Sequence, residues 1–329
     1  MTSLAYQIRS DGQRVWGDWA HVPVADVGSG ELLIRTSYSS VNFKDALAAT
    51  GSGKVVRTFP LIGGIDVAGE VAESTDTRFR EGDQVVVTGF ALGEGHDGGY
   101  SQWVRVPADW AVPLPDGMTA WESMALGTAG ITAALAIHEL EHNGLRPDRG
   151  PVAVTGASGG VGSLAVSMLA GRGYDVTAVT GKSDAHDDLR HLGASDVVAR
   201  PTAREGVPPL ESGRWAGAVD SVGGDLLAWL IRTTQRQGSI ASFGNTGGHQ
   251  LDTSVLPFVL RGINLLGINS GYFSHELRQR LWQRMNDDLR PRHLDEIART
   301  IDFRELPQVF PQFLAGRMRG RIVVRVGDQ

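Results

Sequence analysis

The stretch that decides the fold is residues 152–166, VAVTGASGGVGSLAV. An apolar segment, predicted as a strand, runs into Gly156, and a predicted helix begins near Gly160. Glycines at such a turn let backbone N–H groups approach a pyrophosphate at the helix N-terminus, where the helix dipole favours negative charge. Against the pattern G-x-G-x-x-G, alanine replaces the first glycine. The candidate cofactor contacts in this turn are Ser158, Gly159, Gly160, Val161 and Gly162.

The same letters fit other patterns. Gly156-x-Ser158-x-Gly160 is the G-x-S-x-G elbow of α/β-hydrolases, but no His-Gly-Gly segment precedes it and no downstream histidine has triad character. The stretch also matches the opening motif of short-chain dehydrogenases, although no tyrosine is followed by lysine four residues on. A structural glycine turn without a ligand is a further alternative. Dinucleotide binding is the prediction that the next strand supports.

The second predicted strand, residues 175–180, ends in Thr180, Gly181 and Lys182. An NAD-preferring site usually has Asp or Glu at this strand end, where it bonds the ribose hydroxyls. A hydroxyl, a glycine and a cation instead suit a 2′-phosphate, so the predicted cofactor is NADPH. Arg200, just after the third predicted strand, is a candidate for the same phosphate.

Strands and helices alternate through the middle of the chain, which predicts a parallel, doubly wound sheet. The predicted strands there are residues 151–155, 175–180, 195–199, 216–221, 238–243 and 264–268. The predicted helices are residues 160–172, 184–192 and 226–235. Elsewhere the patterns predict strands at residues 31–39, 84–88, 101–106 and 321–326, and helices over residues 120–141 and 275–289.

Composition excludes several kinds of chemistry. The 329 residues contain no cysteine, which excludes disulfides, thiolate nucleophiles and zinc sites with cysteine ligands. The net charge of −6 disfavours nucleic acid and anionic membranes as partners. The first 11 residues lack a signal-peptide core, and no run of 18 apolar residues occurs. We therefore expect a cytoplasmic protein with no membrane or nucleic-acid partner.

Three further motifs carry a resemblance to a known family: residues 41–45 (VNFKD), 64–69 (GIDVAG) and 127–133 (GTAGITA). Together with the glycine turn, they resemble the medium-chain dehydrogenase/reductase superfamily. More narrowly, the chain is similar to the zinc-free quinone oxidoreductase branch and its acrylyl-CoA reductase (NADPH) group, particularly over residues 51–66. Zinc members carry Gly-His-Glu where this chain has Gly64-Ile65-Asp66, so no metal is expected.

The resemblance implies an α/β fold in which a Rossmann doubly wound parallel sheet is inserted in a mainly-β GroES-like catalytic domain. The implied catalytic domain covers residues 1–122 and 267–329, and the dinucleotide-binding domain covers residues 123–266. Relatives are often dimers with sheets joined edge to edge, so a homodimer is expected, with residues 264–268 as a candidate edge strand.

Site residues are carried over from the same resemblance. Asn42 is expected to orient substrate or cofactor, Asp45 to hold its loop, and Arg57 to meet an acyl-CoA phosphate or a thioester enolate. Phe43 is expected to pack on the cofactor. The remaining expected cofactor contacts are Thr128 and Thr132 near the nicotinamide, and Asn245, Val259 and Ser270 along the cofactor wall.

The implied activity is NADPH-dependent reduction of an activated C=C bond in a small-molecule substrate. Hydride transfer to the β-carbon of acrylyl-CoA or a similar short enoyl thioester is the expected reaction. An NADPH:quinone oxidoreductase is the alternative enzyme, and a non-catalytic NADPH-binding protein is the alternative from another class.

Overall fold

A computed structural model describes residues 1–201 and 206–327. The chain packs into two compact units. Unit 1 consists of residues 1–128, 271–283 and 294–329, and unit 2 of residues 129–270 and 284–293. The domain limits predicted near residues 122 and 267 stay a prediction, because packing units and inherited domains need not end at the same residue.

The elements are numbered along the chain. The strands are β1 (Thr2–Ser10), β2 (Val15–Pro23), β3 (Leu32–Val41), β4 (Leu61–Ile62), β5 (Asp66–Ser74), β6 (Gln84–Thr88), β7 (Trp103–Val106), β8 (Ala111–Pro113), β9 (Val152–Thr155), β10 (Val176–Thr180), β11 (Asp196–Ala199), β12 (Trp215–Asp220), β13 (Thr234–Ser242), β14 (Asn264–Gly267), β15 (Ala298–Asp302) and β16 (Arg321–Arg325). The helices are α1 (Phe43–Thr50), α2 (Ala120–His142), α3 (Gly160–Gly171), α4 (His186–His191), α5 (Gly224–Thr233), α6 (Leu256–Arg261), α7 (His275–Asn286), α8 (Leu294–Ile297) and α9 (Leu306–Leu314).

Unit 2 is built on a six-stranded parallel sheet of order β11-β10-β9-β12-β13-β14. Its central strand β9 is buried along its whole length, as expected for a parallel strand covered on both faces. Ile240 from β13 packs with Leu230 and Ile231 of α5 in the apolar core. Parallel strands bring all their carboxyl ends to one edge, and that edge carries the glycine turn.

Unit 1 contains a seven-stranded sheet of order β15-β16-β3-β5-β6-β8, in which β7 also pairs with β3. A three-stranded sheet of order β2-β1-β4 completes its strands in the described part of the chain. β3 is the longest strand and pairs with β5 on one side. The end of β3 runs directly into α1, so Val41, Asn42 and Phe43 link the sheet to the first helix.

α2 contains a break at Gly127, whose φ of 51° and ψ of −152° are not helical. Its apolar composition and its length would allow it to cross a membrane, but 78% of its most apolar window is buried inside the protein. Buried core helices of soluble proteins can be equally long and apolar. The packing of α2 in the protein interior therefore accounts for its apolar composition.

Two predicted helices extend too far: the helix predicted over residues 275–289 ends at Asn286, and the second case has a structural reason. The helix predicted over residues 226–235 ends at Thr233, and β13 begins at Thr234 without an intervening loop. The strand continues through Gly238, where a Cβ would lie 2.9 Å from the carbonyl oxygen of Ala216. The close approach of β12 therefore explains why position 238 is a glycine. The sequence pattern instead predicts that a strand begins there.

Candidate functional site

The glycine turn of unit 2 joins β9 to α3. Gly156 has a φ of +58°, and a Cβ there would lie 2.3 Å from the Ser221 hydroxyl. At Gly162 a Cβ would lie 2.3 Å from the carbonyl oxygen of Gly156. These close approaches exclude side chains at both positions. The backbone is therefore folded tightly at the N-terminus of α3, where N–H groups favour an anion.

No side chain of the described residues caps the N-terminus of α3, whose cap position is Gly159. Ser158 and Gly160 are partly exposed, as is Val161, whereas Gly162 is buried in the turn. Uncapped helix N-termini keep backbone donors available for a ligand. The turn has the form that phosphate binding requires.

The end of β10 lies against this turn. The Ser158 hydroxyl lies 3.2 Å from the hydroxyl of buried Thr180, which also accepts a hydrogen bond from the Lys182 backbone N–H at 3.1 Å. The Arg200 backbone N–H donates to the Thr180 carbonyl at 3.2 Å. Gly181 is exposed, and a Cβ there would meet nothing within 4 Å. The two predicted phosphate-binding cations thus follow neighbouring strand ends.

Asp220 is a residue of this edge that the sequence patterns did not single out. Its fully buried carboxylate accepts hydrogen bonds from the Thr155 hydroxyl at 2.7 Å and from the Ser242 hydroxyl at 3.0 Å. Those three residues end β12, β9 and β13 respectively. Asp220 therefore ties three strand ends together beneath the glycine turn. Its signal in the sequence is an acidic residue directly after the apolar run of residues 215–219.

The other predicted cofactor residues of unit 2 fall in three places. Thr132, on α2, donates a hydrogen bond to the Ser270 hydroxyl at 2.7 Å, so the structure brings these two together. Asn245 is exposed in the segment after β13. Val259 lies on α6 with 73% of its surface exposed. Their contacts with a cofactor stay predictions.

Unit 1 holds a buried polar network around Asp66, at the start of β5. Asp66 has no exposed surface. Its carboxylate accepts hydrogen bonds from the Ser40 hydroxyl (2.6 Å), the Asn42 amide (2.8 Å), and the Thr128 backbone N–H (2.9 Å) and hydroxyl (2.6 Å). These contacts join the end of β3, the start of α1 and the break in α2.

Arg321, at the start of β16, is the cation of this network. Its guanidinium donates to the Ser40 hydroxyl at 2.9 Å and to the Asn42 amide oxygen at 3.0 Å, and lies 3.9 Å from the Asp66 carboxylate. Burial lowers the pKa of Arg321, while the Asp66 carboxylate opposes that change. A Cβ at Gly127 would lie 2.5 Å from the Asp66 carboxylate, so the network also requires the glycine at the break in α2.

Asn42 and Asp45 form a capping box at the start of α1. The Asp45 carboxylate accepts hydrogen bonds from the backbone N–H groups of Asn42 (2.8 Å) and Ile65 (3.0 Å). Burial, together with the Asp66 charge, raises the pKa of Asp45 to about 7. The contacts of Asp45 are those of a residue that holds its loop.

The remaining predicted residues of unit 1 lie at three positions. Phe43 begins α1 and is 39% exposed. Arg57 is exposed in the segment between α1 and β4. Thr128 directs both its hydroxyl and its N–H to Asp66. Roles of these residues toward a cofactor or substrate stay predictions.

Arg278 is a second buried arginine that the sequence patterns did not single out. Its guanidinium donates to the Thr88 carbonyl at 2.9 Å and lies 4.4 Å from the Phe90 ring centre and 4.2 Å from that of Phe273. Burial lowers its pKa to about 10. Aromatic faces stabilise a cation at such distances. Arg278 lies in the first turn of α7, and the residues around it in the sequence give no sign that it is buried.

A doubly wound sheet with an uncapped glycine turn, in a chain whose other unit is mainly β, defines a dinucleotide-binding oxidoreductase. Two domain models match the chain: "Alcohol dehydrogenase GroES-like domain" over residues 28–116 and "Zinc-binding dehydrogenase" over residues 160–287. The chain belongs to the medium-chain dehydrogenase/reductase family, in its quinone oxidoreductase-like group. The predicted family and fold class are confirmed.

Three similar proteins illustrate the relationship. The putative quinone oxidoreductase YhfP of Bacillus subtilis is 47% identical over 93% of each chain; its crystal structure with NAD bound has a TM-score of 0.96, covering 99% of each chain. The acrylyl-CoA reductase AcuI of Ruegeria pomeroyi is 47% identical over 92% of each chain. The yhdH oxidoreductase of Salmonella enterica, in complex with NADP, has 38% identity and a TM-score of 0.95, covering 98% of this chain and 100% of that one. The chain is thus an oxidoreductase, as predicted.

Proposed function

We propose that the protein is an NADPH-dependent reductase of an activated C=C bond and acts on acrylyl-CoA or a similar short enoyl thioester. The observation that carries the proposal is the glycine turn, whose tight backbone lies against a strand ending in Thr180, Gly181 and Lys182. The name of the AcuI relative supports the substrate class.

The residues of unit 2 suit NADPH. The backbone N–H groups of Gly160 and Val161 would hold the pyrophosphate at the uncapped N-terminus of α3, whereas the Gly159 N–H donates to the Gly156 carbonyl at 2.9 Å. Lys182 and Arg200 would hold the 2′-phosphate, since both follow strand ends of the same sheet edge. When bound, NADPH supplies the hydride for reduction. The substrate gains that hydride at its β-carbon and a proton at its α-carbon.

Asn42 serves this reaction as a positioning residue. Its amide nitrogen donates to the Asp66 carboxylate and to the Ser40 hydroxyl, and its amide oxygen accepts from Arg321. The amide is therefore committed to the buried network, which fixes the backbone at the start of α1. Asp45 fixes the same backbone through the capping box. This rigidity would hold the segment that the family places near the nicotinamide.

The residues at Asp66 do not suit zinc, although one matching domain model is described as zinc-binding. The Asp66 oxygens accept hydrogen bonds from hydroxyl, amide and backbone donors. The Arg321 guanidinium lies 3.9 Å away and would repel a second cation. These contacts support a reaction in which hydrogen bonds, rather than a metal ion, polarise the substrate.

The decisive experiment compares NADPH oxidation with acrylyl-CoA, a simple quinone and no acceptor. Faster turnover with acrylyl-CoA is the expected result. Preference for the quinone would favour the alternative that the name of the YhfP relative supports, an NADPH:quinone oxidoreductase. Tight NADPH binding without turnover on any acceptor would favour a non-catalytic binding protein.

Lys182→Ala tests the phosphate assignment. The preference for NADPH over NADH should fall about tenfold, because the variant loses a charged contact with the 2′-phosphate. Steady-state kinetics with both cofactors measure this ratio. Arg299→Ala, which removes an exposed cation from β15 in unit 1, is the matched control and should leave the ratio unchanged. An unchanged ratio in Lys182→Ala would show that the assignment is wrong.

A homodimer stays a proposal, and the surface of unit 2 supports it. In the described residues, β14 ends the sheet order and pairs with β13 on one side. Val255, Val259 and Leu260 on and beside α6 are 69%, 73% and 50% exposed. An unpaired strand edge next to apolar surface favours association. Leu260→Lys, at a position outside the predicted cofactor contacts, should convert a dimer to a monomer in analytical ultracentrifugation while NADPH affinity persists.

A further inference from the structure

In unit 1, β3 changes its neighbour partway along, and a cavity lies at the change. Its first part pairs with β7, up to Arg35 opposite Trp103, and its last part pairs with β16, from Tyr38 opposite Arg325. The pairing with β5 also shifts register between Thr36 and Tyr38. The cavity measures 490 Å³, within the usual range for small-molecule sites.

Two aromatic residues line this cavity. Trp103 comes from β7 and Tyr38 from β3, and both are partly buried. Gln102, which precedes Trp103, adds an amide to the same lining. Aromatic faces with a few polar groups are the usual lining of a site for a planar ring.

Two arginines also line the cavity. Arg35 pairs with Glu70 at 2.9 Å and keeps 59% of its side chain exposed; Arg325 lies 3.6 Å from Asp302 and keeps 44% exposed. A guanidinium has five N–H donors, so one ion pair leaves donors for a ligand. Glu70 and Asp302 balance the two positive charges, so it is the remaining guanidinium N–H donors that would bind an anion.

Thr36 supplies an independent observation. It lines the cavity, is 1% exposed, and its hydroxyl has no hydrogen-bond partner among the described residues. Buried polar groups in proteins are nearly always paired, so this unpaired hydroxyl behind the cavity wall is an exception that a small shift of the wall around a ligand would relieve.

We propose that this cavity is a second ligand site, which binds a planar aromatic ring carrying a phosphate or carboxylate group. The ring would pack against Trp103 and Tyr38, and the anionic group would bind Arg35 and Arg325. The site belongs to unit 1, whereas the glycine turn belongs to unit 2. It is additional to the proposed reductase function and does not depend on it.

Calorimetric titration with AMP and with benzoate tests the site and distinguishes phosphate from carboxylate. NADP⁺ is kept saturating so that AMP does not report on the glycine turn. The wild-type protein should bind one molecule of at least one probe per chain. Arg325→Gln should weaken that binding about tenfold, through loss of charge-assisted hydrogen bonds. Arg299→Gln, an equal change of charge on β15, should leave it unchanged.

Thr36→Val is the second variant. It should weaken probe binding without lowering the free energy of unfolding, because it removes an unpaired buried hydroxyl at nearly constant volume. The proposal is wrong if neither probe binds, if Arg325→Gln and Arg299→Gln behave alike, or if inorganic phosphate binds as tightly as AMP. Failure of NADPH oxidation would leave these outcomes untouched, so the two proposals fail separately.

Discussion

The glycine turn of unit 2 and the Asp66 network of unit 1 both hold backbone in place, but by opposite means. In the turn, absent side chains let Gly162 approach the carbonyl of Gly156. In the network, a buried carboxylate and a buried guanidinium bind the ends of several elements. The turn therefore depends on the absence of side chains, and the network depends on buried charged groups and their hydrogen bonds. Substitutions should therefore damage the two regions to different extents.

Asp66→Ala should have the largest effect, lowering the free energy of unfolding by about 3–5 kcal/mol. The change leaves the buried Arg321 without its carboxylate partner and several donors without an acceptor. Chemical denaturation measures the loss. Asp109→Ala is the matched control, since Asp109 is 79% exposed and pairs with Arg78 at the surface. Equal losses in the two variants would contradict the role of the network.

Gly162→Ala should lower the free energy of unfolding by about 1–3 kcal/mol, because its Cβ would overlap the carbonyl of Gly156 and force the turn to shift. NADPH affinity should fall with it. A Cβ at position 171, in the same helix, would have no atom within 4 Å. Gly171→Ala should therefore be neutral or slightly stabilising. Denaturation and NADPH titration of both variants check this. Unchanged NADPH affinity in Gly162→Ala would show that the glycine turn is not part of the cofactor site.

The raised pKa of Asp45 predicts that the free energy of unfolding falls as the pH rises. The folded protein keeps this proton up to about pH 7, whereas the unfolded chain releases it near pH 4. The contribution of Asp45 to stability is therefore present below pH 4 and is lost as the pH rises toward 7. Denaturation curves between pH 4 and 8 measure the slope. Asp45→Asn should flatten it, and an unchanged slope would assign the effect to other groups.

Ser158→Ala should have the smallest effect, at most about 1 kcal/mol in stability and a few-fold in NADPH affinity. Its hydroxyl lies near the Thr180 hydroxyl, which cannot act as a general base. Kinetics and a serine-reactive probe measure the outcome. Complete loss of activity with labelling of Ser158 in the wild type would instead indicate a hydrolase.

The same contrast explains what could be predicted from sequence. The strands of unit 2 other than β13 are predicted to within a residue or two because local apolar runs and glycines mark them, as at β9 and β10. The network is not local: Arg321 and Ser40 are 281 positions apart, and Asp66 and Thr128 are 62 apart. Asn42, Asp66 and Thr128 lie on the motifs that carry the family resemblance, but Ser40 and Arg321 do not, and the contacts among these residues have no signature in the sequence pattern.

Strands β4, β5, β8 and β15 were not predicted, and two further features escaped prediction for separate reasons. The hairpin of β1 and β2 lies in the first 23 residues, for which the sequence patterns predict no strand, and its strands pair over nine positions. The junction of α5 and β13 has no turn residue between Thr233 and Thr234, so helix propensity alone extends the helix too far. Tertiary pairing with β12 decides where that strand begins.

Gly127 carries a consequence for how this sequence varies during evolution. A methyl group there would come within 2.5 Å of the Asp66 carboxylate, 2.9 Å of the Arg321 guanidinium and 3.0 Å of the Ser40 hydroxyl. A lineage that acquires a side chain at position 127 must therefore change position 66, 321 or 40 as well. We expect these four positions, scattered over the chain, to be inherited together as one unit.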